Sequence, residues 1–392
     1  MNLGEPMRII SSVPVDGRRC VPIGAGRWHV LFGSRQRPLL MPAEDYHLQK
    51  RWLSFFVGSR VKALYARALL GLNALAPAIG LLPVLRVWCA RDRGVPGQLD
   101  DASMTSMAAI QIGTTGPYQK AAALLISESG QGLALAKIAL VPSADCMVAA
   151  EAAWLKQLAG ISEVADQVPR LLAEGKAAHG RHYIVISLAP TDEVTTEFTD
   201  GHEEFLGRLG RARLETGDFA ASACCQSIEH ALAEVSLYAR REEVAQLHCA
   251  WGECYKLLSR FSGPFVFSQG DFVWWNIRVQ PSRIFVFDWE YARLAANPLA
   301  DILNYQLLKR AASGRNVSRR YLIAAMTRAR AFACKIHSEW KWTAQEVSGL
   351  VLAYVLQVLL DYSRASKSIV RTEPVVRCYW RLVESRSTWL AA

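Results

Sequence analysis

The chain has 392 residues, of which 51% are hydrophobic and 20% are charged, and this composition excludes an intrinsically disordered protein. The formal net charge of +10 suits an anionic ligand or surface. The basic residues are scattered in small groups rather than gathered in one tract, so nucleic acid is not expected as a partner.

The cysteines indicate the compartment. The nine of them form no C-x-x-C pair, and the chain is too long for a disulfide-stapled scaffold, so we expect a reducing, cytoplasmic location. Residues 1–19 lack an apolar core, and no secretory signal is predicted there. Cys249 and Cys254 lie beside His248, and Cys224 and Cys225 come earlier in the chain. Their spacing matches no standard zinc site, and we expect buried, inert thiols.

Residues 1–100 are predicted to form an N-terminal extension, partly helical and apolar. Within it, Ala68–Leu85 is almost wholly apolar and reaches the lower length limit for a membrane span. Pro77 and Pro83 interrupt any single helix there. Residues 60–90 are therefore expected to form short helical pieces that either pack on the body of the protein or make a peripheral membrane contact.

Residues 101–190 have the pattern of a small β domain. A turn between two β-like runs contains Gly113 and Gly116. It leads toward a predicted strand, Leu133–Leu140, in which Lys137 is the one charged residue. The ammonium of such a lysine lies either at a strand edge in water or opposite a buried anion.

A helix and a strand are predicted to complete this β domain. Apolar residues recur at helical spacing over Met147–Leu158, a stretch that also contains Glu151. Tyr183–Leu188 is predicted to be the last strand before a linker. The glycine turns match neither a P-loop nor a dinucleotide-binding fingerprint.

Residues 191–392 are predicted to be mostly helical, because their apolar residues recur at intervals of three and four. The predicted helices are Glu203–Leu214, Ile228–Leu247, Asp301–Ala312, Ser318–His337 and Thr343–Ser363.

A loop and a strand inside this region have the residue types that phosphoryl transfer needs. Asp271 and Asn276 lie five residues apart on the loop, and Asp288 follows the apolar run Ile284–Phe287. A carboxylate can accept a proton from an attacking hydroxyl, and carboxylate and amide oxygens are ligands for hard cations such as Mg²⁺. Taken singly, each residue also fits a turn or a strand end. Their order, spacing and strand context together favour a catalytic site.

These motifs resemble those of the aminoglycoside phosphotransferase and choline kinase family. The resemblance covers about residues 105–310 and implies an α+β, protein-kinase-like two-lobed fold, with a small antiparallel β lobe and a larger, mostly helical lobe after the N-terminal extension. The matching segments are Gln269-Gly270-Asp271-Phe272, Asn276-Ile277, Phe287-Asp288-Trp289-Glu290-Tyr291-Ala292 and Asn297-Pro298-Leu299-Ala300-Asp301.

The resemblance also implies roles for individual residues. Asp271 would be the catalytic base, Asn276 and Asp288 would bind Mg²⁺, and Asp301 would be a structural acid. For ATP, the implied contacts are the glycine turn, a lysine–glutamate pair, and backbone groups after the last small-lobe strand. These contacts fall on Gly113, Gly116, Lys137, Glu151, Ser187 and Ala189.

The function implied is that of an ATP- and Mg²⁺-dependent small-molecule kinase. Its acceptor would be a hydroxyl of a sugar, amino alcohol or aminoglycoside, and the oligomeric state stays open. The alternative is a catalytically weak or inactive pseudokinase that serves as a nucleotide-binding scaffold, either free or at a membrane surface. Two features favour it: Gln269 stands where the family has a histidine, and the resemblance does not explain the N-terminal extension. A protein kinase is disfavoured because no Ala-Pro-Glu motif follows Asp288. Trp274, Trp275 and Trp289 could line the acceptor site or pack in the core.

Overall fold

The computed structural model describes residues 14–15, 18–19, 21–22, 27–32, 38–42, 84–86, 106–126, 131–177, 180–190, 193–336 and 341–390. The chain divides into two units, Met1–Gly160 with Val168–Val194 and Ile161–Gln167 with Thr195–Ala392. The segment predicted to contact a membrane, residues 60–90, lies outside the described residues except for the short strand Val84–Arg86.

The first unit contains a nine-stranded sheet and a separate two-stranded ribbon, β1–β2. The sheet order is β10-β11-β9-β8-β7-β5-β4-β6, with β3 parallel to β7 and the other pairs antiparallel. Strands from the N-terminal 100 residues therefore extend the same sheet. The strands are β1 Pro14–Val15, β2 Arg18–Arg19, β3 Val21–Pro22, β4 Arg27–Phe32, β5 Pro38–Pro42, β6 Val84–Arg86, β7 Ser106–Ile112, β8 Lys120–Ile126, β9 Gly132–Ala139, β10 Leu171–Lys176 and β11 His182–Ser187.

The centre of this sheet is buried, as the apolar runs of its strands require. On β9, Ala136 and Ile138 belong to a hydrophobic core that also includes Ala123 and Val185. Because side chains alternate along a strand, Lys137 points to the opposite face from these two neighbours. The helix α1, Asp145–Ala159, packs on the face of the sheet to which Lys137 points, and it contacts β9 and β11.

The second unit is mainly helical. Its small sheets are β12-β13-β16 and β14-β15, formed by β12 Leu214–Glu215, β13 Phe265–Ser268, β14 Ile277–Val279, β15 Ile284–Val286 and β16 Arg293–Ala296. Its helices are α2 Asp200–Ala212, α3 Ala223–Val235, α4 Arg241–Leu257, α5 Ala300–Leu303, a π-helical turn Asn304–Leu308, α6 Lys309–Ala312, α7 Arg319–Ile336, α8 Ala344–Ser366 and α9 Pro374–Glu384. The predicted α+β class, an antiparallel sheet followed by a helical part, is confirmed.

One predicted helix is wrong. Ile228–Leu247 was expected to be continuous, but α3 ends at Val235 and α4 begins at Arg241. The Ser236 hydroxyl donates to the Leu232 carbonyl at the end of α3, and Glu243 accepts from the Arg240 amide at the start of α4. Apolar periodicity misses this break because both helices bury residues with the same spacing.

The centre of the helical unit is α8, which packs against α3, α4 and α9. Thr343 and Glu346 cap its N-terminus reciprocally. Among the described residues it is the one helix long and apolar enough to cross a membrane, and 67% of its apolar window is buried inside the protein. A buried core helix has the same composition.

Gly349 allows a close approach between α8 and the end of α4. A Cβ atom at this position would lie 2.7 Å from Leu258 Cγ, and Gly349 also accepts a hydrogen bond from the Cys254 thiol. Gly252 on α4 has no atom within 4 Å of the same hypothetical Cβ. The two glycines therefore differ in packing but both lie inside helices.

We expect Gly349→Ala to lower the free energy of unfolding by about 1–3 kcal/mol, because the added methyl group overpacks the crossing. The matched control, Gly252→Ala, should raise it by about 0.5–1 kcal/mol through helix propensity alone. Urea unfolding of both variants measures the difference. Equal stability of Gly349→Ala and the wild type would contradict the close approach.

Candidate active site

In the first unit, the structure brings Lys137 and Glu151 together. Lys137 Nζ donates to both carboxylate oxygens of Glu151, at 2.6 and 2.8 Å. Glu151 has no exposed surface, and Lys137 is 8% exposed. Removing two charges from water is costly, so a buried pair of this kind is weak as a source of stability. It does hold an ammonium in a fixed place, as binding of an anionic group requires.

The other predicted nucleotide contacts of this unit differ in their surroundings. Gly113 closes the β7–β8 connection, since its amide donates to the Lys120 carbonyl at 2.7 Å. Gly116 lies in open space. Ser187 ends β11, and its amide already donates to the Arg170 carbonyl at 2.9 Å, so an adenine contact by that amide would displace this bond. Ala189 follows the strand and is half-buried. Their nucleotide roles stay predictions.

In the second unit, the loop after β13 brings Asp271 and Asn276 into direct contact. Asn276 Nδ2 donates to Asp271 Oδ2 at 2.9 Å and to the Asp271 carbonyl at 3.0 Å. Because both amide hydrogens point at Asp271, the amide oxygen points away and is the atom that a cation would bind. These two hydrogen bonds join Asp271 and Asn276 across the five-residue spacing and fix the orientation of the Asp271 carboxylate.

Gln269 connects this loop to Asp288. Its Nε2 donates to the carbonyls of Phe287 and Asp288, at 3.2 and 2.6 Å, and its Oε1 accepts from the Asp271 amide at 2.9 Å. Gln269 has no exposed surface. Asp288 has a left-handed backbone, with φ of 68°, which is uncommon outside glycine and occurs at functional sites. The residue that departs from the family pattern thus holds the two predicted acidic segments together.

Asp301 fixes the start of the loop. Its carboxylate accepts from the Ser268 hydroxyl at 2.8 Å, the Gln269 amide at 2.8 Å and the Gly270 amide at 3.0 Å. Burial raises the pKa of Asp301, and these donors oppose the rise. Gly270 has φ of 84°, and a Cβ there would overlap the Tyr291 carbonyl oxygen, so no other residue fits.

A further acid, Glu290, was present in the motif without an assigned role. One of its carboxylate oxygens lies within 4.8 Å of an Asp288 carboxylate oxygen. It is 9% exposed. Carboxylate and amide oxygens are the donor set that Mg²⁺ takes, so Asp288, Asn276 and Glu290 fit a magnesium ion chemically. The signal in the sequence was a second carboxylate two residues after the first, at the end of a strand.

The three tryptophans of the motifs were expected either to line the acceptor site or to pack in the core. Trp289 is buried, donates from its indole nitrogen to the Val286 carbonyl at 2.9 Å, and packs against Phe205 and Phe267. It belongs to the core. Trp275 is exposed and meets Trp274 edge to face. An acceptor-lining role stays open for these two.

The expectation of inert thiols is confirmed for three cysteines and wrong about burial for a fourth. Cys224, Cys225 and Cys254 are buried. Burial raises the pKa of Cys224 to about 12 and that of Cys225 to about 11, so neither is a nucleophile at neutral pH. Cys249 is exposed and accepts from Arg386 at 3.1 Å.

His202 packs against the loop through Phe272, the residue after Asp271. Its Nδ1 accepts from the Thr199 amide at 3.1 Å, and its ring packs against Phe272 and Tyr305. It has no exposed surface. Burial lowers the pKa of His202 to about 4, so the ring is neutral at physiological pH.

The comparisons with known proteins concern the fold. No protein-family model matches the chain, and no curated protein matches it. Among solved structures, the chain is similar to a thermostable mutant of aminoglycoside phosphotransferase APH(4)-Ia, with 15% identity, 72% of this chain and 95% of that chain covered, and a TM-score of 0.49. APH(4)-Ia has also been solved with AMP-PNP and hygromycin B.

Two further solved structures are similar over comparable lengths. A protein assigned as a fructosamine-3-kinase from Thermobifida fusca YX-ER1 has 16% identity, with 74% of this chain and 95% of that chain covered and a TM-score of 0.49. Spectinomycin phosphotransferase APH(9)-Ia, solved with ADP and spectinomycin, has 13% identity, 73% and 94% covered, and a TM-score of 0.42. The chain is thus similar, over most of its length, to aminoglycoside phosphotransferases and fructosamine-3-kinases.

We expect Gln269→Glu to destabilise the protein, because a carboxylate cannot donate to the carbonyls of Phe287 and Asp288. The loss should be about 1–3 kcal/mol for each buried group left without a donor. Gln226→Glu is the matched control, since Gln226 is exposed on α3 and donates once to a backbone carbonyl. Chemical denaturation compares them, and an equal effect of the two variants would contradict the role of Gln269.

The free energy of unfolding should also fall as the pH is lowered from 6.5 toward 4, because His202 has a lower pKa in the folded protein than in the unfolded chain. The folded-state pKa is about 4 and the unfolded value is 6.5, so only the unfolded chain binds a proton between them. The stabilisation is complete above pH 6.5 and is lost toward pH 4. His202→Gln keeps an acceptor for the Thr199 amide and does not titrate. From pH 7 to 4.5 the wild type should lose on the order of 2–3 kcal/mol more than this variant; parallel pH curves would refute the assignment.

Proposed function

We propose that this protein is a phosphotransferase that moves the γ-phosphate of ATP to a hydroxyl of a small molecule, with Mg²⁺ as the metal. The observation that carries the proposal is the assembly of Asp271, Asn276 and Asp288, joined by the side chains of Asn276 and Gln269. Such a loop has the parts of a phosphoryl-transfer site, a base and oxygen ligands for a hard cation. The proposal rests on this chain's own residues.

In the proposed reaction, Asp271 orients the acceptor hydroxyl and takes its proton. The hydroxyl oxygen forms a bond to the γ-phosphorus, the bond from that phosphorus to the bridging oxygen breaks, and ADP leaves. Asn276 supports this step by holding Asp271 Oδ2, which fixes the plane of the carboxylate. A bound Mg²⁺, held by Asn276, Asp288 and Glu290, would supply neutralisation of the charge on the phosphate oxygens.

Lys137 is proposed to bind the phosphates of ATP. An ammonium held by a buried carboxylate keeps its position without a ligand, so little ordering is needed when the nucleotide binds. Its partner Glu151 would be a positioning residue. The acceptor is proposed to be a sugar, an amino alcohol or an aminoglycoside, and the protein is proposed to act in the cytoplasm.

The pseudokinase alternative was based on Gln269 and on the unexplained N-terminal extension. In the structure Gln269 bonds to both acidic segments, so its presence supports a formed loop. The same experiment tests both functions.

Purified protein with Mg-ATP and a library of small hydroxyl compounds should transfer the γ-phosphate. Asp271→Asn should lower the transfer rate by about 10²–10⁴-fold, because the base is lost, and should leave ATP affinity unchanged. Asp218→Asn is the matched control, since Asp218 is an exposed acid of the same unit. Wild type that binds ATP and transfers nothing would support the pseudokinase; wild type that does not bind ATP would exclude both.

A further inference from the structure

Gly270, the residue before Asp271, is held at both its amide and its carbonyl by one helical segment. Asp301 on α5 accepts from the Gly270 amide at 3.0 Å, and Asn304 in the π-helical turn donates to the Gly270 carbonyl at 3.0 Å. Residues three apart lie on one face of a helix, which is why both reach the same loop residue. Asp301 belongs to the recognised motif, whereas Asn304 does not.

The hydrogen bonds of Asn304 can run in one direction only. The Gly270 carbonyl can only accept, so it must face Asn304 Nδ2. Asn304 Oδ1 then faces the Tyr354 hydroxyl at 3.0 Å, and Tyr354 must donate. Tyr379 lies 2.6 Å from that hydroxyl, and it must be the donor in turn. The result is a buried hydrogen-bond chain from Tyr379 through Tyr354 and Asn304 to Gly270.

Burial and protonation keep this chain intact. Asn304 is 4% exposed, Tyr354 3% and Tyr379 0%. Burial raises the pKa of both tyrosines, so both hydroxyls keep the protons that they donate. Hydrogen bonds in series inside a protein strengthen one another, and a broken member leaves buried polar groups unsatisfied. An apolar residue at position 304 would fill the space but leave the Gly270 carbonyl without this donor.

The π-helical turn is a second sign that Asn304 is not an ordinary helix residue. Asparagine disfavours a helix interior, and π turns are rare and frequent at functional sites. All five residues of this turn, Asn304–Leu308, are buried. The irregular turn therefore lies in the core, beneath the loop that carries the proposed base.

We propose that Asn304 is a positioning residue for Asp271, and that Tyr354 and Tyr379 fix the orientation of the Asn304 amide. The kinetic part of this inference rests on the proposed function. The structural part does not, because the position of the loop can be measured without turnover.

The test uses amide hydrogen exchange of a peptide covering residues 269–277 in the full chain. Tyr354→Phe keeps the ring and removes only the hydroxyl, and should speed local exchange by roughly 2- to 10-fold, the equivalent of one hydrogen bond. Tyr379→Phe should have a smaller effect, because Tyr354 can still donate to Asn304. Tyr321→Phe is the matched control: its hydroxyl donates to the Gln306 carbonyl of the same turn but is not in the chain.

Asn304→Asp provides a second variant, since it keeps the size of the side chain and removes the donor to Gly270. In an active enzyme, both Tyr354→Phe and Asn304→Asp should lower kcat and leave KM for ATP unchanged. Unchanged exchange at residues 269–277 would overturn the inference, as would faster exchange spread equally over the whole unit. Local change with unaltered kcat would also overturn it. If the variants exchange faster at residues 269–277 but the wild type transfers no phosphate, the positioning of the loop is upheld and the proposed function is rejected.

Discussion

The carboxylate of Asp301 is the group on which the geometry of the second unit depends. It is 6% exposed and accepts from three donors on consecutive residues, Ser268, Gln269 and Gly270. A buried carboxylate is tolerated only when its oxygens are satisfied, and bonds to a charged acceptor are stronger than neutral ones. The acid therefore converts a glycine-containing turn, which could take many conformations, into one fixed start for the loop.

Gln269 extends this constraint from the loop to the neighbouring strand end. A neutral histidine has one ring donor and one acceptor, whereas the glutamine amide has two donor hydrogens and an acceptor oxygen. In this protein all three functions are used, on the carbonyls of Phe287 and Asp288 and on the Asp271 amide. A glutamine at this position is thus compatible with a formed loop, because its amide supplies the donors and the acceptor that these contacts need.

Much of this arrangement could be predicted from the sequence, because it depends on short spacings. Asp271 and Asn276 are close in the chain, and the apolar run before Asp288 marks a strand. The parts that could not be predicted are long-range or irregular. Asn304 contacts a residue 34 positions away, and Tyr354 contacts Asn304 from 50 positions away. In a helical pattern, a lone asparagine indicates an exposed position or a turn, and nothing local shows that it is buried.

The helix break between Val235 and Arg241 was missed for a related reason. Both α3 and α4 bury one face, so the apolar spacing continues across the turn between them. At the end of α3 the Ser236 hydroxyl donates to the Leu232 carbonyl, and at the start of α4 the Glu243 side chain accepts from the Arg240 amide. Serine and glutamate are common inside helices as well, so their capping role is visible only in the structure.

Most of the hydrogen bonds that Asp301, Asn304 and Gln269 make to the loop and to the neighbouring strand end are to backbone groups. Asp301 binds amides, Asn304 binds the Gly270 carbonyl, and Gln269 binds two carbonyls and the Asp271 amide. Peptide groups are the same whatever the neighbouring side chains are, so this scaffold constrains the position of Asp271 and Asp288 but not the surface presented to an acceptor. For the proposed reaction, this separation means that the motif residues would carry the reaction type, whereas residues outside the motif would set the identity of the acceptor.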